Sequence, residues 1–258
     1  MRTTAIVNLK GGVAKTSTTV NMAAILAQHY GASVLVIDAD AQCNATEFFG
    51  ADPDRGNLAK ILRLPDSNQD PINYCTACIQ ETPMPGVDIL PADDSLMDLD
   101  LTSASLGQAN TNVLRLMVEE LEGVYDYILI DCPPAFNAAS AAALVAADDV
   151  VIPIKLDAFA LRGMVNLMRQ IKNMRRINPR LRVSGCLPTM WYAERKILDA
   201  EQQLRLAGLS VYPHIRRSDT VDRMTFSQSP LIVSSPNSGA GLDYKIFVAA
   251  YIAEGEEK

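Results

Sequence analysis

Short β-branched apolar runs alternate along this chain with longer stretches whose apolar residues recur at helical spacing. Residues 3–8 (with Thr4-Ala5-Ile6-Val7), 33–37, 87–91, 125–131, 149–154, 183–188 and 209–212 read as strands. Helical spacing predicts helices over 18–29, 57–62, roughly 94–105, 110–122, 137–146, 161–177, 194–206 and 240–253. In the first of these, Val20, Ala23, Ala24 and Ala27 share a face, and Gly31 supplies the stop. In the helix over 161–177, Leu161, Met164, Met168 and Ile171 form the expected core face, and Asn178-Pro179 ends it. Residues 51–85 are the least regular part. Strands alternating with helices long enough for right-handed crossovers predict an α/β fold: one domain over 1–258, a doubly wound, mostly parallel sheet with helices on both faces.

Composition narrows the class. A hydrophobic fraction of 48% and a charged fraction of 21% over 258 residues fit a soluble protein with a full core. No apolar run reaches transmembrane length, and the chain enters a strand at once, so neither a membrane span nor a signal peptide is expected. Five scattered cysteines read as reduced thiols in a cytoplasm. Cys75 and Cys78 have C-x-x-C spacing, but no second pair completes a tetrahedral set. His29 and His214 are too few for a typical histidine metal site.

Charge is unevenly spread. Residues 1–160 carry 8 Lys+Arg against 21 Asp+Glu, whereas residues 161–258 carry 15 against 9. Between 162 and 223 the count is 13 against 5. Arg162, Arg169, Lys172 and Arg176 fall on one helical stripe, Arg195 and Lys196 open the next helix, and Arg216, Arg217 and Arg223 flank a turn. No aromatic residues interleave with them, so a nucleic acid held here would be gripped by its phosphates, without regard to sequence.

The sharpest chemistry lies in 8–46. Asn8-Leu9-Lys10-Gly11-Gly12-Val13-Ala14-Lys15-Thr16-Ser17 joins the first strand to the first helix. Its turn and helix N-terminus point backbone N–H groups at an anion, Lys15 adds a positive charge, and the Thr16 hydroxyl suits Mg²⁺. The general pattern G-x-x-x-x-G-K-[ST] is not met, because Leu9 and Ala14 stand where its glycines belong. Asp38 and Asp40 end the second strand, and ligands in open α/β sheets bind beyond strand carboxyl ends. Capping is the plainer role for these aspartates. The run Tyr125–Ile130 leads into Asp131, placed to hold Mg²⁺ through water.

Lys10-Gly11-Gly12-x-x-Lys15-Thr16 resembles the deviant Walker A motif of the ParA/MinD family of P-loop ATPases. Asp38–Thr46 is similar to that family's D-x-D-P-Q-G-N-A-T, with Ala41 for the proline and Cys43 for the glycine. Asp131-Cys132-Pro133-Pro134, within 126–134, resembles its D-x-P-P. The resemblance runs from residue 3 to about 250. It implies a single-domain P-loop NTPase hydrolysing ATP, with ATP and Mg²⁺ as cofactors. The nucleotide would be bound by Lys10, Gly11, Gly12, Val13, Ala14, Lys15, Thr16, Ser17 and Asp131, and Mg²⁺ by Thr16, Asp131 and, partly through water, Asp40. Lys15 would contact the β- and γ-phosphates and Ser17 lie near the α-phosphate. Asp40 would position the attacking water, and Lys10 would reach the partner's phosphates across an ATP-dependent homodimer.

The Walker A′ wording and the basic third further resemble the partition branch. That branch implies non-specific double-stranded DNA and a ParB-like centromere-binding protein as partners, in a cytoplasmic, nucleoid-associated setting without a membrane. The alternatives within the superfamily are a MinD-like membrane-cycling regulator, disfavoured by the acidic Glu254-Gly255-Glu256-Glu257 tail, and an iron–sulfur or biosynthetic ATPase. The iron–sulfur type would need Cys132 or Cys186 as ligands; both read better as small core residues.

Overall fold

The computed structural model describes residues 1–64, 71–99 and 110–256. β1 (Arg2–Ile6) leads into α1 (Lys15–Tyr30), and β2 (Val34–Asp38) into the short helices α2 (Asn44–Phe48) and α3 (Leu58–Leu62). After α4 (Pro71–Ala77), β3 (Gln80–Glu81) and β4 (Val87–Leu90) come α5 (Thr111–Glu120) and β5 (Tyr127–Asp131). α6 (Ala138–Ala146), β6 (Asp149–Lys155), α7 (Ala160–Met174) and β7 (Arg182–Thr189) continue the alternation. α8 (Arg195–Leu206), α9 (Asp219–Ser227), α10 (Leu231–Ser234) and α11 (Gly239–Glu256) follow.

The strands form one seven-stranded sheet in the order β3-β4-β2-β5-β1-β6-β7. Every pairing is parallel except β3 with β4. Side chains alternate between faces, so each strand feeds two cores. Ala5, Leu35, Ile37, Ile128, Ile130, Val150 and Ile152 pack with α3, α5, α6 and α7. Ile6, Val34, Val36, Leu129 and Val151 pack with α1 and α11 on the other face. α6 is buried along its whole length, and its small residues let it fit between α5 and α7. A bulky replacement such as Ala142→Leu would overpack that layer by about 1–3 kcal/mol.

Register sets up the chemistry. Ile6 lies opposite Asp131 across β1 and β5, and Asp38 lies opposite Asp131 across β2 and β5. Both aspartates therefore reach the carboxyl edge of the sheet beside the chain leaving β1. At the other edge, Arg2 donates to Asp149 Oδ2 at 2.7 Å, to Glu254 Oε2 at 2.7 Å and to the Tyr251 carbonyl at 2.8 Å, and stacks over the Tyr251 ring. The end of α11 is thereby tied to β1, and Glu254 is part of a clasp rather than of a solvated acidic tail.

Several expectations are corrected. Residues 209–212 form no strand: Val211 makes a single bridge to Cys186. The Tyr212 ring lies where a Cβ on Gly185 would sit, 2.7 Å from its nearest carbon, and Pro213 has no N–H with which to continue the ladder. The buried face of α7 is Ala160, Met164, Leu167, Ile171 and Met174; Met168 is half-buried, and the Leu161 side chain lies outside the described residues. Of the helix expected over 94–105, Asp94–Asp98 form a 3₁₀ turn, and the part from residue 100 on lies outside the described residues. α2, α4, α9 and α10 were not anticipated. For α9 a signal was present, with Ser218 as N-cap and Asp219 and Asp222 in the first turn.

Candidate functional site

A cleft of about 830 Å³ opens at the carboxyl edge of the sheet, lined by Gly11–Ser17 and Asp40 among others. Its floor is the turn between β1 and α1. Asn8 anchors this turn: its Nδ2 donates to the Pro153 carbonyl at 2.7 Å, and its Oδ1 accepts from Lys10 N at 3.0 Å. Thr189 Oγ1 donates to the Val13 carbonyl at 3.1 Å from the far wall. Ala14, the N-cap of α1, has no side chain that could cap the helix. The first N–H groups of a 16-residue helix are thus left for an anion.

Lys15 is buried at 8% exposure. Burial pulls its ammonium below the usual lysine range, opposed by the nearby carboxylates Asp131 and Asp40. Asp131 is buried behind the cleft lining, with Thr19 Oγ1 3.2 Å from its Oδ1. Burial first, and then Asp38, push Asp131 up to about 8, against the Thr16 hydroxyl and Lys15. Its Oδ2 is fully enclosed and has no hydrogen-bond partner among the described residues. A carboxylate oxygen left over beside a threonine hydroxyl at a phosphate cradle fits a hard divalent cation such as Mg²⁺.

The two aspartates of the second motif do different work. Asp38 accepts from Thr46 N and Thr46 Oγ1, both at 2.8 Å, and from Asp40 N at 3.1 Å. Its carboxyl, raised to about 6 by burial, builds the loop rather than meeting a ligand. Asp40 lines the cleft and spends one oxygen on Gln42 N at 3.0 Å. Lys10 is not among the lining residues; it is ion-paired to Asp157 just before α7. Sequence reasoning missed Lys155, Met190, Tyr192 and Ser218 in the lining. Of these, Lys155 was signalled by its place at a strand's carboxyl end.

Four non-glycine residues among those described have left-handed backbone: Ala14, Cys43, Met190 and Gln228. Ala14, Met190 and Gln228 line the cleft, and Cys43 sits between lining residues Gln42 and Asn44. Each costs about 1–2 kcal/mol, and strain of this kind gathers at functional sites. Two of them, Ala14 and Cys43, stand where the resembling signatures carry glycine.

The far wall is stitched together by Trp191, whose backbone N–H donates to the Ile215 carbonyl at 3.0 Å and whose carbonyl accepts from Arg217 N at 2.9 Å. Its indole stacks on the His214 imidazole, with centroids 3.7 Å apart and planes 9° from parallel.

Of the nine basic residues expected on a nucleic-acid face, Arg162, Arg169 and Lys172 are exposed on α7, Arg176 in the turn after it, Arg195 and Lys196 on α8, and Arg223 on α9. Arg216 and Arg217 are exposed too, but both line the cleft, and Arg216 is held bidentately by Asp243. Cys75 and Cys78 are buried free thiols, and no group of three or more potential metal ligands occurs among the described residues. Cys132 and Cys186 are fully buried, and burial pushes both thiols upward, as for small core residues.

Comparisons with known proteins agree with this geometry. The AAA domain family matches residues 1–183. The chain is 38% identical to the chromosome partitioning protein ParA of Caulobacter vibrioides over 197 residues, 74% of this chain and 70% of that protein. It is 35% identical to the chromosome-partitioning ATPase Soj of Thermus thermophilus, over 80% of this chain and 76% of that one. Among solved structures, cobyrinic acid a,c-diamide synthase from Mycobacterium smegmatis, with bound ATP analog and magnesium, superimposes with a TM-score of 0.79 at 26% identity, covering 99% of this chain and 96% of that one. With the cradle, the paired strand-end aspartates and these relatives together, the chain belongs to the ParA/MinD family of P-loop ATPases.

Proposed function

We propose that this ATPase dimerises around Mg-ATP, holds DNA without regard to sequence, and serves partition of a plasmid or chromosome with a ParB-like partner. Its cofactors are ATP and Mg²⁺. The backbone N–H groups of 11–17 and the Lys15 ammonium take the phosphates, with Ser17 toward the α-phosphate. Thr16 and Asp131 hold Mg²⁺, and Asp40 orients the attacking water. Little covalent work is asked of the protein, so positioning and fixed charge carry the rate. Lys10 acts in trans, and to do so it must leave Asp157. Both side chains are about one-third exposed, so that release costs about 1 kcal/mol or less.

Burial and Asp38 make Asp131 hold its proton more tightly than an ordinary carboxylate, so a cation bound there competes with that proton. Mg-ATP binding should therefore release up to about one proton per site and tighten as pH rises toward 8. Calorimetry in two buffers of different ionisation heat reads the number directly; no release would remove Asp131 from the cation's reach.

The observation that carries the DNA reading is charge without compensation. Arg162, Arg169, Lys172, Arg176, Arg195, Lys196 and Arg223 are all exposed, and none is in an ion pair among the described residues. Elsewhere the protein is acidic. One copy offers few contacts per phosphate track, so the dimer should be the binding form. With ATP, affinity for random duplex DNA should fall about a thousandfold between about 50 and 200 mM salt. Arg195→Glu combined with Arg223→Glu should abolish binding and leave dimerisation intact. Unchanged affinity would remove these two residues from the surface, and no binding at low salt by the ATP-bound parent would overturn the partition role.

A further inference from the structure

Arg216 is an unusual guanidinium. Its Nε and Nη2 donate to the two oxygens of Asp243 at 2.7 and 2.8 Å, and its own backbone N–H donates to Asp243 Oδ2 at 2.9 Å. Asp243 is nearly buried, with a side chain 7% exposed, so the fork holds the guanidinium plane in one orientation. One face of that plane is covered by Gly239 at the start of α11. A Cβ built on Gly239 would lie 2.8 Å from Arg216 Cδ, 2.8 Å from Nη1 and 2.9 Å from Cζ. Near-equal distances to these three atoms put the glycine over the flat face, because an approach within the plane would leave Cζ farther away. The side chain is nonetheless 54% exposed and lines the cleft. With one face seated and one edge bonded, the surface it offers the cleft is the other face.

We infer that Arg216 is the platform on which the aromatic base of the nucleotide stacks, its plane fixed by Asp243 and its rear face seated on Gly239. This rests on reading the cleft as the nucleotide site. Asp243 already balances the charge of Arg216, which makes it a poor phosphate grip and a good flat partner for a heterocycle. Phosphate has its own cradle at Gly11–Ser17. The Arg216 side of the lining also supplies Met190, Tyr192 and Val221, apolar surface against which a base can be buried. Gly239 is required because any side chain there would push the guanidinium off its seat.

Binding of Mg-ATP and of Mg-tripolyphosphate, which has the phosphates without a base, separates this role from others. Calorimetry should show Arg216→Ala weakening Mg-ATP about tenfold to thirtyfold while tripolyphosphate binding stays within about twofold. Arg216→Lys keeps the charge but not the plane and should lose nearly as much. Gly239→Ala reaches the same end from the other side and serves if the Arg216 variants fail to fold. A loss shared equally by both ligands would make Arg216 a phosphate contact and overturn the proposal, as would no loss for either. If the parent binds neither ligand, the reading of the cleft as a nucleotide site fails instead.

Discussion

Asp40→Ala should bind Mg-ATP within about threefold of the parent and hydrolyse it at least about a hundredfold more slowly. The separation follows from how the loop after β2 is built. Asp38 and Thr46 hold its shape, so removing the Asp40 carboxylate leaves the cleft wall in place and costs only the bond to Gln42 N. What is lost is a carboxylate lining the cleft near Lys15, the group proposed to orient the attacking water. Calorimetry for binding and phosphate release for turnover give the two numbers. Turnover within threefold of the parent would assign the water to another residue, and a binding loss as large as the rate loss would make Asp40 chiefly a cation ligand.

Lys15→Gln should show the reverse pattern, with affinity for Mg-ATP falling about a hundredfold to a thousandfold. Glutamine keeps most of the side chain's length and an amide N–H donor while removing the charge. Lys15 is the buried cation facing Asp40 and Asp131, and without it a polyphosphate meets two carboxylates with no counter-charge beside the cradle. The variant's circular dichroism should match the parent's. Undiminished affinity in a folded Lys15→Gln protein would mean that backbone N–H groups alone carry the phosphates.

The sheet was readable in the sequence because its strands are short β-branched runs, buried on both faces and ending in chemistry-bearing residues, as at Asp38 and Asp131. The cradle was readable because its geometry is local: a strand, a turn and a helix within some twenty residues. What could not be read depended on contacts far apart in the chain. Arg216 looked like one member of a basic cluster, and only its pairing with Asp243, 27 residues on, turns it into the cleft. Leu209–Tyr212 has strand composition, yet its place beside Gly185 and the following proline leave it a single bridge. Asp38 and Asp40 are equivalent by spacing, and they part company only through Thr46. The core face of α7 centres on Leu167 rather than Met168, which is only half-buried, because both satisfy helical spacing and sequence alone cannot separate them.

The stack of Trp191 on His214 makes the protein its own spectroscopic instrument. The chain has one tryptophan, so emission excited at the red edge of indole absorption comes from a single site. That site lies in the stretch 189–192, which supplies Thr189, Met190 and Tyr192 to the cleft wall. A ligand that shifts this wall must change the overlap of indole and imidazole, and with it the quantum yield. Occupancy of the cleft can then be followed in real time by stopped flow, in unlabelled protein, and the Trp191→Phe variant supplies the blank.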